Sequence, residues 1–146
     1  MRLLHIIDSL NTGGAERLLV DVINGLNGVE HHVLTISDQQ ELSGCLPPDV
    51  QISGIGFRSK KDIPQAIRKI RTYIRQHKIA LVHSHLAMAN VLARFGTPAE
   101  IPLINSLHSQ NGMRLFFFQM VARDHHGKMV ISFTTSSTCG VRSCPG

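Results

Sequence analysis

The sequence predicts an α/β fold, a parallel sheet with helices on both faces. Two observations lead there. Short apolar runs alternate with longer stretches whose apolar residues recur every three or four positions. The first run, Leu3 to Ile7, is almost continuously apolar, as a strand buried on both faces must be. In sheets of this kind ligands sit at the carboxyl ends of strands. Asp8 to Gly14, Asp38, His83 to His85 and His108 all stand at such ends.

The elements follow in order. After the first strand, Leu18, Leu19, Val22, Ile23 and Leu26 form one apolar stripe of a helix that begins near Ala15 and stops at Gly25 or Gly28. HHVLTIS, residues 31–37, is rich in β-branched residues and predicts the second strand. Pro47, Pro48 and Asp49 punctuate, and Val50, Ile52 and Ile55 predict the third. Asp62 is placed to cap a helix with apolar positions Ile63, Ala66, Ile67, Ile70 and Ile74, and Pro64 sits in its first turn, where proline is tolerated. A fourth strand is expected from Ile79 to His83, a helix from Leu86 to Phe95, and a fifth strand from Ile101 to Leu107.

Composition narrows the class. The 146 residues suit one domain, and 42% apolar with 17% charged residues excludes a disordered chain. The apolar stretch Leu115 to Ala122 is too short to span a bilayer. MRLLHIID does not read as a signal peptide, so a cytoplasmic location is expected. Cys45, Cys139 and Cys144 are an odd set with no companion pair, which fits neither a disulfide framework nor a zinc site.

The net charge of +5 is local. Residues 1–57 are acidic on balance. Arg58, Lys60, Lys61, Arg68, Lys69, Arg71, Arg75 and Lys78 crowd residues 58–78 against the single acid Asp62. The polar side of the helix after Asp62 therefore carries Arg68, Lys69, Arg71 and Arg75. A solvated face and a surface for anionic lipid headgroups both explain it. Nucleic acid is the poorer partner, since only Tyr73 and Phe57 are available to stack on bases.

Two adjacent glycines, Gly13 and Gly14, lie between the first strand and the first helix. Glycine there removes the Cβ that would keep a phosphate from the free amides of the helix N-terminus. A tight strand-to-helix turn explains the pair equally well. There is neither a G-x-G-x-x-G fingerprint nor a P-loop. His83 and His85 point the same way from the fourth strand, which suits a metal, but no third ligand is spaced nearby and no metal site is predicted. His108 is either an acid–base or hydrogen-bonding group or a loop cap.

Taken together, the chain resembles the family-4 glycosyltransferases of the GT-B fold. The resemblance rests on NTGGAERLLVDVINGL after the opening strand, on HHVLTISD, on IRKIRTYIRQHKIALVHSHL and on IPLINSLHS, in that order and over roughly residues 1–110. It implies a Rossmann-like N-terminal, acceptor-side domain. It also implies retaining transfer of a sugar from a nucleotide-sugar donor to a glycan or lipid-linked acceptor, as in polysaccharide biosynthesis. By the same resemblance Gly13, Gly14 and Glu16 approach the donor diphosphate, His108 lies beside the transferred sugar, and His85 lines the acceptor side. Separately from the resemblance, the lipid reading of the basic helix makes Arg68, Arg71 and Arg75 membrane-facing residues of a protein peripheral to the inner face of the membrane. No cofactor and no metal are implied.

The departures are as informative. The family's second domain supplies most of the donor site, including paired glutamates, and Glu16, Glu30, Glu41 and Glu100 do not reproduce that pair. Residues 111–146 lack clean periodicity and read as an atypical tail, as if the frame were truncated or shifted. The chain alone is then expected to be inactive, and a second chain is one candidate source of the missing half. A non-catalytic acceptor- or membrane-binding module and a small nucleotide binder are the competing functions.

Overall fold

Nine helices and strands account for most of the described residues. They are β1 (Arg2–Ile7), α1 (Gly14–Gly25), β2 (Glu30–Thr35), β3 (Gln51–Gly54), α2 (Ile63–Gln76), β4 (Leu81–His85), α3 (Ala87–Gly96), β5 (Leu103–Leu107) and β6 (Val130–Thr134). The computed structural model describes residues 1–107 and 130–134, Leu107 and 130–134 by their backbone alone. Short 3-10 turns at Glu41–Cys45 and Lys60–Asp62 join the set.

The six strands form one sheet in the order β3-β2-β1-β4-β5-β6, and every neighbouring pair is parallel. The chain steps outward from β1 through β2 to β3, then returns to lay β4 on the other side of β1. That order is the doubly wound one, and the reversal between β1 and β4 opens a crevice at their carboxyl ends.

Strand alternation divides the core in two. Leu4, Ile6, Leu34, Val82 and Leu103 face α2 (Ala66, Ile70, Ile74) and α3 (Ala89, Leu92, Ala93). Ile7 and Val33 face the opposite way, against Leu19, Val20 and Ile23 of α1. Helices therefore cover both faces, as expected. The buried stripe of α1 is Ala15, Leu19, Val20 and Ile23, whereas Leu26 caps the helix and is exposed.

Helices α2 and α3 meet at a glycine. A Cβ on Gly96 would lie 2.7 Å from Ile70 Cγ2, so only glycine permits this approach. Beside it, Arg71 Nη2 donates to the Phe95 carbonyl at 3.0 Å.

The boundaries depart from the sequence expectation for local reasons. Asp62 is the N-cap residue of α2, but its side chain makes no cap bond to that helix. Its carboxylate accepts the amides of Arg58 and Ser59 at 3.0 and 2.8 Å, closing a capping box with Ser59 around the preceding 3-10 turn. These amides hold the Asp62 carboxyl below its usual pKa. At the other end of α2, Lys78 is left-handed (φ +50°), while Ile79 N donates to Ile74 O and Lys78 N to Arg75 O. This Schellman turn uses up residues 78–80, so β4 begins at Leu81 rather than Ile79 and extends to His85.

Candidate functional site at the β1–β4 crevice

The loop from β1 to α1 is held from outside. Leu10 is fully buried, its amide donates to Gln39 O, and its carbonyl accepts from Leu42 N. Asn11 Nδ2 reaches Gln39 Oε1 at 2.6 Å and Thr12 Oγ1 reaches Glu41 Oε2 at 3.2 Å. Segment 39–42 thus fixes the path of the chain into Gly13 and Gly14.

Gly13 is the extended N-cap residue of α1, and Gly14 is its first helical residue. The space above Gly13 is filled from within the chain. A Cβ built there would collide with Glu16 Oε2 and lie 3.0 Å from Glu16 Cδ. Glu16 is buried, and it belongs to the first turn of α1, where a carboxylate meets the positive end of the helix dipole. So Gly13 admits a carboxylate against the loop, and that carboxylate stands where a phosphate was expected. Gly13, Gly14 and Glu16 are thus close together, with the Glu16 carboxyl group packed against Gly13.

Across the crevice, Leu86 makes the turn from β4 into α3 with φ +71°, a left-handed conformation that branched side chains seldom adopt. The first turn of α3 is closed by Asp8, at the end of β1. Asp8 Oδ1 accepts the Ala89 amide at 2.7 Å. Burial raises the Asp8 pKa, while the Ala89 and Met88 amides work against that shift. Below α3, Ser84 Oγ lies 2.5 Å from Asn105 Oδ1 and 2.7 Å from Asn90 Oδ1. A hydroxyl has one proton, so Ser84 donates to one asparagine and accepts from the amide of the other.

His85 is the last residue of β4 and is buried on the α1 face of the sheet, beside His83 (ring centroids 4.0 Å apart). Register adds a third imidazole that spacing within the sequence could not show. His5 of β1 pairs with His83 of β4 and lies 5.7 Å, centroid to centroid, from both His83 and His85. His31 of β2 extends the group, its Nδ1 3.2 Å from His5 Nε2. Burial first, then the neighbouring His83 and His31, hold His5 neutral, with its pKa lowered to about 3. His83 Nε2 is 2.8 Å from Ser106 Oγ. His108 lies outside the described residues, directly after the last residue of β5.

Arg68, Arg71 and Arg75 are exposed on α2. Arg71 is committed to the Phe95 carbonyl, and Arg68 lines a groove of about 520 Å³ with Leu34, Ser53, Gly54, Lys69 and Tyr73. Lys69 Nζ closes the groove floor by donating to Ile55 O at 2.6 Å. On α3, Val91 and Phe95 are 49% and 59% exposed. No helix among the described residues is long and apolar enough to cross a membrane.

A doubly wound parallel sheet with helices on both faces defines an α/β protein of the Rossmann-like class. The sequence matches the family described as Glycosyltransferase Family 4 over residues 12–132, and the chain belongs to that family. The match, like strand β6, runs past Gln110, where the sequence resemblance fades. No curated protein matches the chain.

Proposed function

We propose that this chain is the acceptor-side half of a retaining, nucleotide-sugar-dependent glycosyltransferase that acts on a glycan or lipid-linked acceptor. What supports the reading is that β1 and β4 are adjacent parallel strands, with Gly13, Gly14 and Glu16 following β1 and His85 ending β4, in a family-4 chain. The donor diphosphate approaches the amides of Gly13 and Gly14 from across the cleft, and Glu16 yields its place or is repelled. His85 lines the acceptor side and His108 stands beside the transferred sugar. A donor phosphate oxygen takes the acceptor proton, so transfer uses no protein base, cofactor or metal.

Sugar transfer of this kind needs preorganised groups on both walls of a closed cleft. These 146 residues therefore bind acceptor but do not turn over donor unless a second domain or chain supplies the facing wall. Calorimetry with nucleotide-sugars, followed by turnover assays with and without His108→Ala, tests this. Turnover by the isolated chain that survives His108→Ala would remove the assigned role of His108. Absence of any acceptor or nucleotide binding would remove the reading itself.

A second reading, docking to an anionic membrane surface at the cytoplasmic side, is favoured by one arrangement. Exposed Val91 and Phe95 lie beside the cationic face of Arg68, Arg71 and Arg75. Sedimentation with anionic vesicles, lost in high salt and in Arg68→Glu/Arg75→Glu, supports it. Equal sedimentation with neutral vesicles counts against it.

A further inference from the structure

Three histidines from two adjacent strands converge on the α1 face of the sheet. Parallel pairing sets His5 beside His83, and alternation brings His85 to the same face. Each offers one ring nitrogen, and these three nitrogens lie within 4.8 Å of one another. His5 and His85 are buried and His83 is half-buried.

Hydrogen bonding fixes the tautomer of His5. The Leu26 carbonyl can only accept, so the His31 nitrogen facing it, Nε2 at 3.3 Å, carries the proton. With that proton on Nε2, His31 offers Nδ1 as the acceptor, and His5 Nε2 donates to it at 3.2 Å. His5 Nδ1 is left with a lone pair, buried and without a hydrogen-bond partner. A buried acceptor with nothing to accept from is costly, and a cation is one way to satisfy it. The outer contact also has the form that ligating histidines show, with the far N–H held by an acceptor that orients the ring. His83 has a comparable outer partner in Ser106 Oγ at 2.8 Å.

We propose that His5, His83 and His85 form a three-imidazole site for one borderline divalent cation of the zinc class. Three nitrogens and no carboxylate select Zn²⁺, Co²⁺, Ni²⁺ or Cu²⁺ over Mg²⁺ and Ca²⁺. Three protein ligands also leave a coordination position for water. The site goes beyond the sugar transfer proposed above, which uses no metal, so either can fail without the other.

The test uses the full chain, stripped with chelator and titrated with Zn²⁺ by calorimetry and with Co²⁺ by visible absorption. The wild-type chain is expected to bind Zn²⁺ and Co²⁺ but not Mg²⁺. His5→Gln and His83→Gln each lose one equivalent, whereas His77→Gln, outside the cluster, keeps it. His31→Gln keeps the three ligands but releases the orienting bond, and weakens binding by roughly 10- to 100-fold. Should His5→Gln fail to fold by circular dichroism, His83→Gln, at the half-buried position, decides. Zinc binding that is absent in the wild type, or identical in His83→Gln and the wild type, overturns the proposal. Nucleotide-sugar calorimetry in metal-free buffer reads the transfer hypothesis separately.

Discussion

Asp8 Oδ1 accepts the backbone amide of Ala89 at 2.7 Å, joining the end of β1 to the first turn of α3 across 81 positions of chain. The contact closes one wall of the crevice, and it supplies α3 with a helix cap from a different element. Leu86, the residue at its N-cap, makes no side-chain cap bond. Asp8→Ala is expected to cost about 0.5–2 kcal/mol, the range for a lost cap. Asp8→Asn, which keeps an accepting oxygen, should cost less. Urea unfolding of the three proteins at pH 7 measures the difference. Equal midpoints for wild type and Asp8→Ala would mean that water replaces the carboxylate without loss.

The Gly96–Ile70 approach sets the spacing of α2 and α3. Gly96→Val places two methyl groups where even one carbon would lie 2.7 Å from Ile70 Cγ2. Overpacking of this kind typically costs about 1–3 kcal/mol. Combining it with Ile70→Ala, which removes the colliding Cγ2 on the facing helix, should recover part of the loss. A double-mutant cycle by thermal or urea unfolding reads the coupling. Simple additivity of the two substitutions would argue that the helices separate freely.

Much of the architecture was legible because parallel α/β units write their period into the chain. The apolar runs of β1 and β2 and the stripes of α1 and α2 each reflect burial in the sheet or against it. The ends were less legible. Whether Asp62 caps α2 or the turn before it depends on the amides of Arg58 and Ser59, which lie upstream of the helix pattern. The His5–His83–His85 group was hidden for a different reason. His5 and His83 are far apart in sequence and meet only through strand register, which no local spacing encodes. Gly13 suits a tight turn and room for a phosphate equally, and a sequence cannot show that the residue three places on turns its carboxylate into that room.

His5 makes folding sensitive to acid. Its pKa falls from 6.5 to about 3 on folding, through burial and then the facing His83 and His31, with His85 the remaining imidazole against it. Between those values the unfolded chain binds more protons than the folded one, so stability rises with pH across this window. The contribution is complete above about pH 6.5 and is lost progressively as pH falls toward 3. A shift of this size corresponds to a few kcal/mol at most. Urea midpoints should therefore drop between pH 7 and pH 5, and His5→Gln should flatten that slope even if it lowers the midpoint at pH 7. An unchanged slope in His5→Gln would assign the acid sensitivity to other groups.

Glu16 and an incoming diphosphate compete for one place. The carboxylate sits against Gly13 at the positive end of α1, and a phosphate drawn to the same amides meets a like charge. Glu16→Gln keeps the shape of the side chain and removes the charge. If the loop receives a diphosphate, binding of a nucleoside diphosphate should tighten by about 1 kcal/mol, near fivefold, as expected for one charge at a helix N-terminus. The gain should shrink only modestly in high salt, because Glu16 is buried and a buried charge is screened far less than an exposed one. Calorimetry at low and high ionic strength measures both effects. Weaker binding in Glu16→Gln would mean instead that the carboxylate holds the nucleotide, by accepting a hydroxyl of its sugar, and that the phosphates lie elsewhere.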